Sequence, residues 1–224
     1  MKSKIEENET KLVPISEMTL RSHGKSRKVP QLPDHGKKRN EKSRAENFLT
    51  LDEYNSLQRY LLNNGTQRNR NVMMTMMLYE TGARVSDMLN IRPKDIDFTR
   101  RAVNVYVQKS GVWSLKPLSM ELAYALSIYI NENKIQPEEQ VVDLTRTQVW
   151  KIIKDAGMAQ LKRRVTPHTL RHSTAMAIRN NGGSDDDVKD ALDHSSVEVT
   201  EEFYAEADLE TKRGILIRAG VMKQ

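Results

Sequence analysis

The chain has 224 residues, 36 Lys and Arg against 30 Asp and Glu, and no cysteine. That length suits one good-sized domain, or one domain with an appendage, and buries a core without covalent staples. The missing cysteines exclude a disulfide scaffold, a thiolate metal site and a cysteine nucleophile. No apolar run nears the ~20 residues of a membrane span, and no charged-then-apolar leader follows Met1, so a soluble cytoplasmic protein is expected.

The charge is uneven. Residues 1–46 hold 12 basic and 7 acidic side chains, a net of +5 out of the chain's +6. The bias peaks in residues 19–44, where Arg21, Lys25, Arg27, Lys28, Lys37, Lys38, Arg39, Lys42 and Arg44 face only Asp34 and Glu41. Large apolar residues are few there, and Pro14, Gly24, Pro30, Pro33 and Gly36 interrupt it. Residues 1–47 therefore read as a basic, largely disordered arm, either a solvated tail or a grip on phosphate backbones through counterion release.

Ordered structure is expected from Thr50, an N-cap whose capping box Glu53 completes, with Tyr54, Leu57, Tyr60 and Leu61 striping a helix to about Asn63. A second helix is expected over 70–79, its methionines serving as packing, and a third over 85–91, stopped before Pro93. The period then changes: Val103, Val105 and Val107 alternate, Ser110-Gly111 turns the chain, and 112–118 returns, which makes a hairpin. Helices follow at 120–132, 147–156, 167–180, 185–192, 200–204 and 209–217, with a short third strand expected at 140–144. The fold class is α+β, mainly helical, with a small three-stranded antiparallel sheet.

Four places suggest chemistry. Arg84, in Thr81-Gly82-Ala83-Arg84-Val85-Ser86-Asp87, is either a helix-end ion pair with Asp87 or an oxyanion clamp. In Thr166-Pro167-His168-Thr169-Leu170-Arg171-His172, Thr166 caps a helix, Pro167 takes its first position, and His168 and Arg171 share a face. Free N–H groups at a helix start attract phosphate, so imidazole and guanidinium there make a phosphoryl site; the alternative is a core histidine beside a surface arginine. His194, in Asp193-His194-Ser195-Ser196, reads by itself as a helix-end cap, and Tyr204, ten residues on, as half-buried packing with its hydroxyl in water. Lys109 sits at the hairpin tip, where a lysine ordinarily only solubilises a turn.

Together these stretches, over about residues 48–208, resemble the tyrosine recombinase (phage integrase) family. The resemblance implies that family's catalytic fold and a site-specific recombinase that breaks and rejoins DNA through a 3′-phosphotyrosyl intermediate, without metal, cofactor or ATP. Tyr204 would be the nucleophile, Arg84 and Arg171 the grip on the non-bridging oxygens, and Lys109 the acid that protonates the leaving 5′ oxygen. His168 would move protons and His194 would bond a phosphate oxygen. Such a protein acts as a homotetramer on double-stranded DNA, is a monomer in solution, and stays DNA-associated in the cytoplasm. A type IB topoisomerase-like nicking-rejoining enzyme and an inactive DNA-binding relative are the alternatives.

Three features depart from the family pattern. The His194–Tyr204 spacing is one residue longer than usual, about 100° of helical rotation. Asp193 stands where a glycine is usual. Residues 1–47 are too few for the core-binding domain most members carry: either the basic arm replaces it, or an accessory DNA-binding protein supplies it, or the chain alone binds DNA weakly. Beyond the catalytic region, 209–224 is a tail with Leu209, Ile215, Leu216, Ile217 and Val221 interleaved by Lys212, Arg213 and Arg218. It is a candidate protomer-docking segment or part of its own domain's core.

Overall fold

The computed structural model describes residues 48–192 and 202–223, with side chains except at 202–207. All of these fall within one compact unit, 38–224. The basic arm and its nine cations, Arg21 to Arg44, lie outside the described residues.

Three helices build the first half: α1 (Leu51–Asn63), α2 (Arg68–Thr81) and the short α3 (Val85–Leu89). The Thr50 hydroxyl accepts from the Glu53 amide, and the Glu53 carboxylate accepts from the Thr50 amide at 2.9 Å, so α1 starts where its capping chemistry dictates. Helix α2 starts polar, Arg68-Asn69-Arg70-Asn71, but from Val72 onward it is buried nearly all round. Met73, Met74, Met77 and Leu78 sit in the core, with α1 and later helices packed around them.

A turn at Pro93–Asp95 leads to β1 (Ile96–Asp97), β2 (Ala102–Val107) and β3 (Val112–Pro117), an antiparallel sheet in the order β1-β2-β3. The third strand is thus β1, not residues 140–144. Val141 and Val142 are both buried, which imitates a strand in sequence, but Val141 donates to the Ile91 carbonyl and joins no ladder. Val103 pairs with Lys116, Val105 with Ser114 and Val107 with Val112; Val103, Val105 and Val107 face inward. Tyr106 and Trp113 pair on the exposed face, ring centroids 5.3 Å apart.

The second half is helical: α4 (Met120–Glu132), α5 (Arg146–Leu161), α6 (Pro167–Asn180), α7 (Asp185–Leu192) and α8 (Glu202–Arg218). Ser119 joins α4 to α2: its amide and hydroxyl both bond the buried Glu80 carboxylate, at 3.0 and 2.9 Å. Burial pushes that carboxyl up to about 7. The two helices expected over 200–217 are one, because Ala205-Glu206-Ala207-Asp208 contains no breaker. Leu209, Ile215, Leu216, Val221 and Met222 are buried within the same chain, and Arg213 donates to the carbonyls of Arg100, Arg101 and Leu118. No helix among the described residues is long and apolar enough to cross a membrane.

Candidate active site

The turn between α2 and α3 presents Arg84. Thr81 Oγ1 bonds back to the Met77 carbonyl and accepts from the Ala83 amide, while Gly82 takes the left-handed conformation at φ +58° that glycine adopts without strain. Arg84 is the N-cap of α3 and lies half-buried. A Cβ at Gly82 would run into Leu192 Cδ2, so the absence of a side chain lets the end of α7 close onto this turn.

Asp87 holds Arg84 from beneath. Its Oδ2 lies 3.7 Å from Arg84 Nη1, and its Oδ1 accepts from the Gln108 amide at 3.3 Å. The carboxylate is almost fully buried, at 2 % exposure, so this pairing is shielded from solvent on its acidic side. One side chain therefore connects the Arg84 turn to the residue before Lys109. Lys109 itself is exposed in the hairpin turn, which Ser110 and Gly111 close by donating to the Val107 carbonyl. The sequence showed Asp87 only as a partner for Arg84; its second bond joins residues 21 apart and no local pattern foreshadows it.

Helix α6 starts as its capping residues dictate: the Thr166 hydroxyl accepts from the Thr169 amide and Pro167 fills the first turn. His168 is exposed and Arg171 half-buried one turn later. The Arg171 guanidinium donates to the Gly82 carbonyl and, at 2.7 Å, to the Leu192 carbonyl. It thereby ties three elements together: the Arg84 turn, α6, and the end of α7 from which the chain runs on to His194. His172 packs edge-on to Phe48, ring centroids 6.2 Å apart, and burial, with His168 and Arg179 adding to it, lowers its pKa. His194 lies outside the described residues; Tyr204 falls in the first turn of α8, its side chain not described.

Beside His168 opens a cleft of about 760 Å³ lined by Lys162, Arg163, Arg164, Thr166, His168 and His172, among others. Arg163 is committed to Glu53 and the Phe48 carbonyl, at 2.8 and 2.9 Å. Arg164 lies 5.1 Å from the Trp150 ring centroid, with Lys154 5.2 Å from the same centroid. Sequence reasoning missed these cations, although the run Lys162-Arg163-Arg164 just ahead of the Thr166 cap was visible.

The sequence model of the phage integrase family matches residues 47–210. The chain belongs to the phage integrase family. A tyrosine recombinase of Pseudothermotoga lettingae is 30% identical over 172 residues, 75% of this chain and 59% of that protein. The tyrosine recombinase XerD of Staphylococcus haemolyticus is 31% identical over 153 residues, 63% of this chain and 51% of the relative. The chain thus spans between half and three-fifths of the length of these curated relatives. The structure of the XerH site-specific recombinase bound to its difH substrate, a pre-cleavage complex, superimposes with a TM-score of 0.59 at 18% identity, over 75% of this chain and 49% of that one. Family membership and fold agree: the mainly helical domain with its three-stranded sheet is the tyrosine recombinase catalytic fold, and Arg84, Lys109, His168 and Arg171 all lie in the family-matched region.

Proposed function

We propose that the chain is a site-specific DNA recombinase that cleaves double-stranded DNA with Tyr204 and reseals it through a 3′-phosphotyrosyl intermediate. One observation carries the reading: the Arg171 guanidinium joins the Arg84 turn to the helix end preceding His194, so a single side chain gathers the stretches a phosphoryl site would use. The curated relatives, named tyrosine recombinases, support it.

In this reading the Tyr204 oxygen attacks a backbone phosphorus, forming the P–O(tyrosyl) bond as the P–O5′ bond breaks. A phenol with a pKa of ~10 needs its proton removed at neutral pH, and His168 is the group assigned to that transfer. Arg84 and Arg171 offset the charge on the non-bridging oxygens; planar guanidinium forks suit paired oxygens better than an ammonium does. Lys109 gives the leaving 5′ oxygen its proton, and His194 bonds a phosphate oxygen. The phosphodiester's energy stays in the phosphotyrosyl link, so a new 5′ hydroxyl reverses the step without ATP.

The DNA partner extends the same logic. The cleft cations Lys162 and Arg164 beside His168, together with the nine cations of the arm, grip the phosphate backbone. Exchange between two duplexes needs four protomers, so the working form is a homotetramer assembled on DNA from monomers.

The test is incubation with nicked duplexes containing the target site, followed by a denaturing gel. A protein–DNA adduct that Tyr204→Phe abolishes is expected, together with recombination of two-site plasmids. No adduct on any site, or relaxation of supercoils without exchange, overturns the proposal.

A further inference from the structure

Strand β3 is built against expectation. Its inner face carries Ser114 and Lys116 where the paired inner face of β2 carries Val105 and Val103, while Trp113 is turned out to solvent. Lys116 is only 1 % exposed. An apolar side chain would satisfy the strand there without the cost of desolvating an ammonium. What lysine adds is reach and a charged donor.

It uses both. Lys116 Nζ lies 2.6 Å from the Ala191 carbonyl, across 75 residues of sequence. Ala191 is in the last turn of α7, where carbonyls lack helical partners and the helix dipole is negative, so a cation there is favoured. The next carbonyl, Leu192, is taken by Arg171. Two cations from two different elements thus fix the point where the chain leaves α7 toward His194. Strand β3 also meets α8: Lys212 of α8 donates to the Leu115 carbonyl at 3.3 Å, and α8 carries Tyr204 in its first turn.

We propose that Lys116 is a positioning residue for the catalytic tail: by holding the Ala191 carbonyl it registers the exit toward His194 on the hairpin that bears Lys109. This rests on the recombinase reading above. Lys116 does not touch substrate; it acts through the backbone it holds.

The full-length chain carrying Lys116→Met, which keeps the stem and removes the ammonium, tests this. Lys116→Met removes the cost of desolvating an ammonium but leaves the Ala191 carbonyl without that donor; the two effects oppose each other, so the variant is expected to stay folded. It should bind DNA with unchanged affinity and form the phosphotyrosyl adduct, at saturating DNA, about tenfold to a hundredfold more slowly, the effect of a small misplacement of reacting groups. If Lys116→Met unfolds, Lys116→Arg, which keeps the charge but changes its reach, takes its place with the same readings expected. A folded variant that cleaves at the wild-type rate overturns the inference. So does a loss of affinity that accounts for the slower reaction, or unfolding of both variants, which would make the ammonium a stability element alone. A wild-type chain that forms no adduct brings down the recombinase reading itself, and the inference with it.

Discussion

Arg171 donates to the Leu192 carbonyl at 2.7 Å while its other nitrogen holds the Gly82 carbonyl, so the guanidinium spans the narrow gap between two chain turns. That gap exists only because Gly82 lacks a side chain. Gly82→Ala would drive a methyl into Leu192 and force a left-handed φ on alanine. It should destabilise the domain by about 2–4 kcal/mol, overpacking and backbone strain together, measured by urea unfolding. Adduct formation should fall further than the folded fraction does.

Asp87 is the second connector. Asp87→Asn keeps an acceptor for the Gln108 amide but removes the charge opposite Arg84. Arg84 keeps access to solvent but Asp87 is buried, so folding stability should fall by about 1–3 kcal/mol, more than an exposed pair would lose. Single-turnover cleavage should also slow by about tenfold or more, because Arg84 loses its orientation. Equal slowing of DNA binding would instead place Asp87 in affinity rather than positioning.

Glu80 makes stability depend on pH in an unusual direction. Its folded-state pKa is raised from the 4.5 of an exposed carboxyl to about 7 by burial, against the lowering effect of its Ser119 bonds. Between those values the folded chain holds the proton more tightly than the unfolded chain. The contribution is therefore fully present below pH 4.5, is lost as pH rises toward 7, and is flat above, a change of roughly 3 kcal/mol. Thermal unfolding from pH 5 to pH 8 should show wild-type Tm declining relative to Glu80→Gln, whose amide does not titrate.

For the arm, deletion of residues 1–46 removes 12 cations and 7 anions. DNA affinity should weaken, and the slope of log K against log salt should flatten by about 0.9 for each phosphate that the arm neutralises in the intact chain. Equal slopes with and without the arm would mean that it does not touch phosphate.

Local chemistry was legible in the sequence and long-range chemistry was not. Thr50 with Glu53, and Thr166 with Pro167, placed the starts of α1 and α6 because a cap is decided within four residues. The hairpin followed from the alternation of Val103, Val105 and Val107. The third strand escaped sequence reasoning because Ile96–Asp97 is too short for any periodicity, whereas Val141 and Val142 look like a strand and are buried for another reason. Arg84, Lys109, His168 and Arg171 were singled out through their family pattern. The contacts of Asp87 with Gln108, and of Lys116 with Ala191, join residues 21 and 75 positions apart and depend on folded packing. Alternation in β3 gives no hint of Lys116: it puts Trp113 and Leu115 on the core face and Ser114 and Lys116 on the solvent face, the reverse of what the fold does.

The proposed chemistry requires Tyr204 to become covalently joined to DNA. The direct measurement is mass spectrometry of the adduct after nuclease and protease digestion. The peptide containing Tyr204 should carry a nucleotide linked through its 3′ phosphate, and Tyr204→Phe should yield neither adduct nor strand cleavage. A nucleotide on any other side chain, or cleavage that persists in Tyr204→Phe, would contradict it.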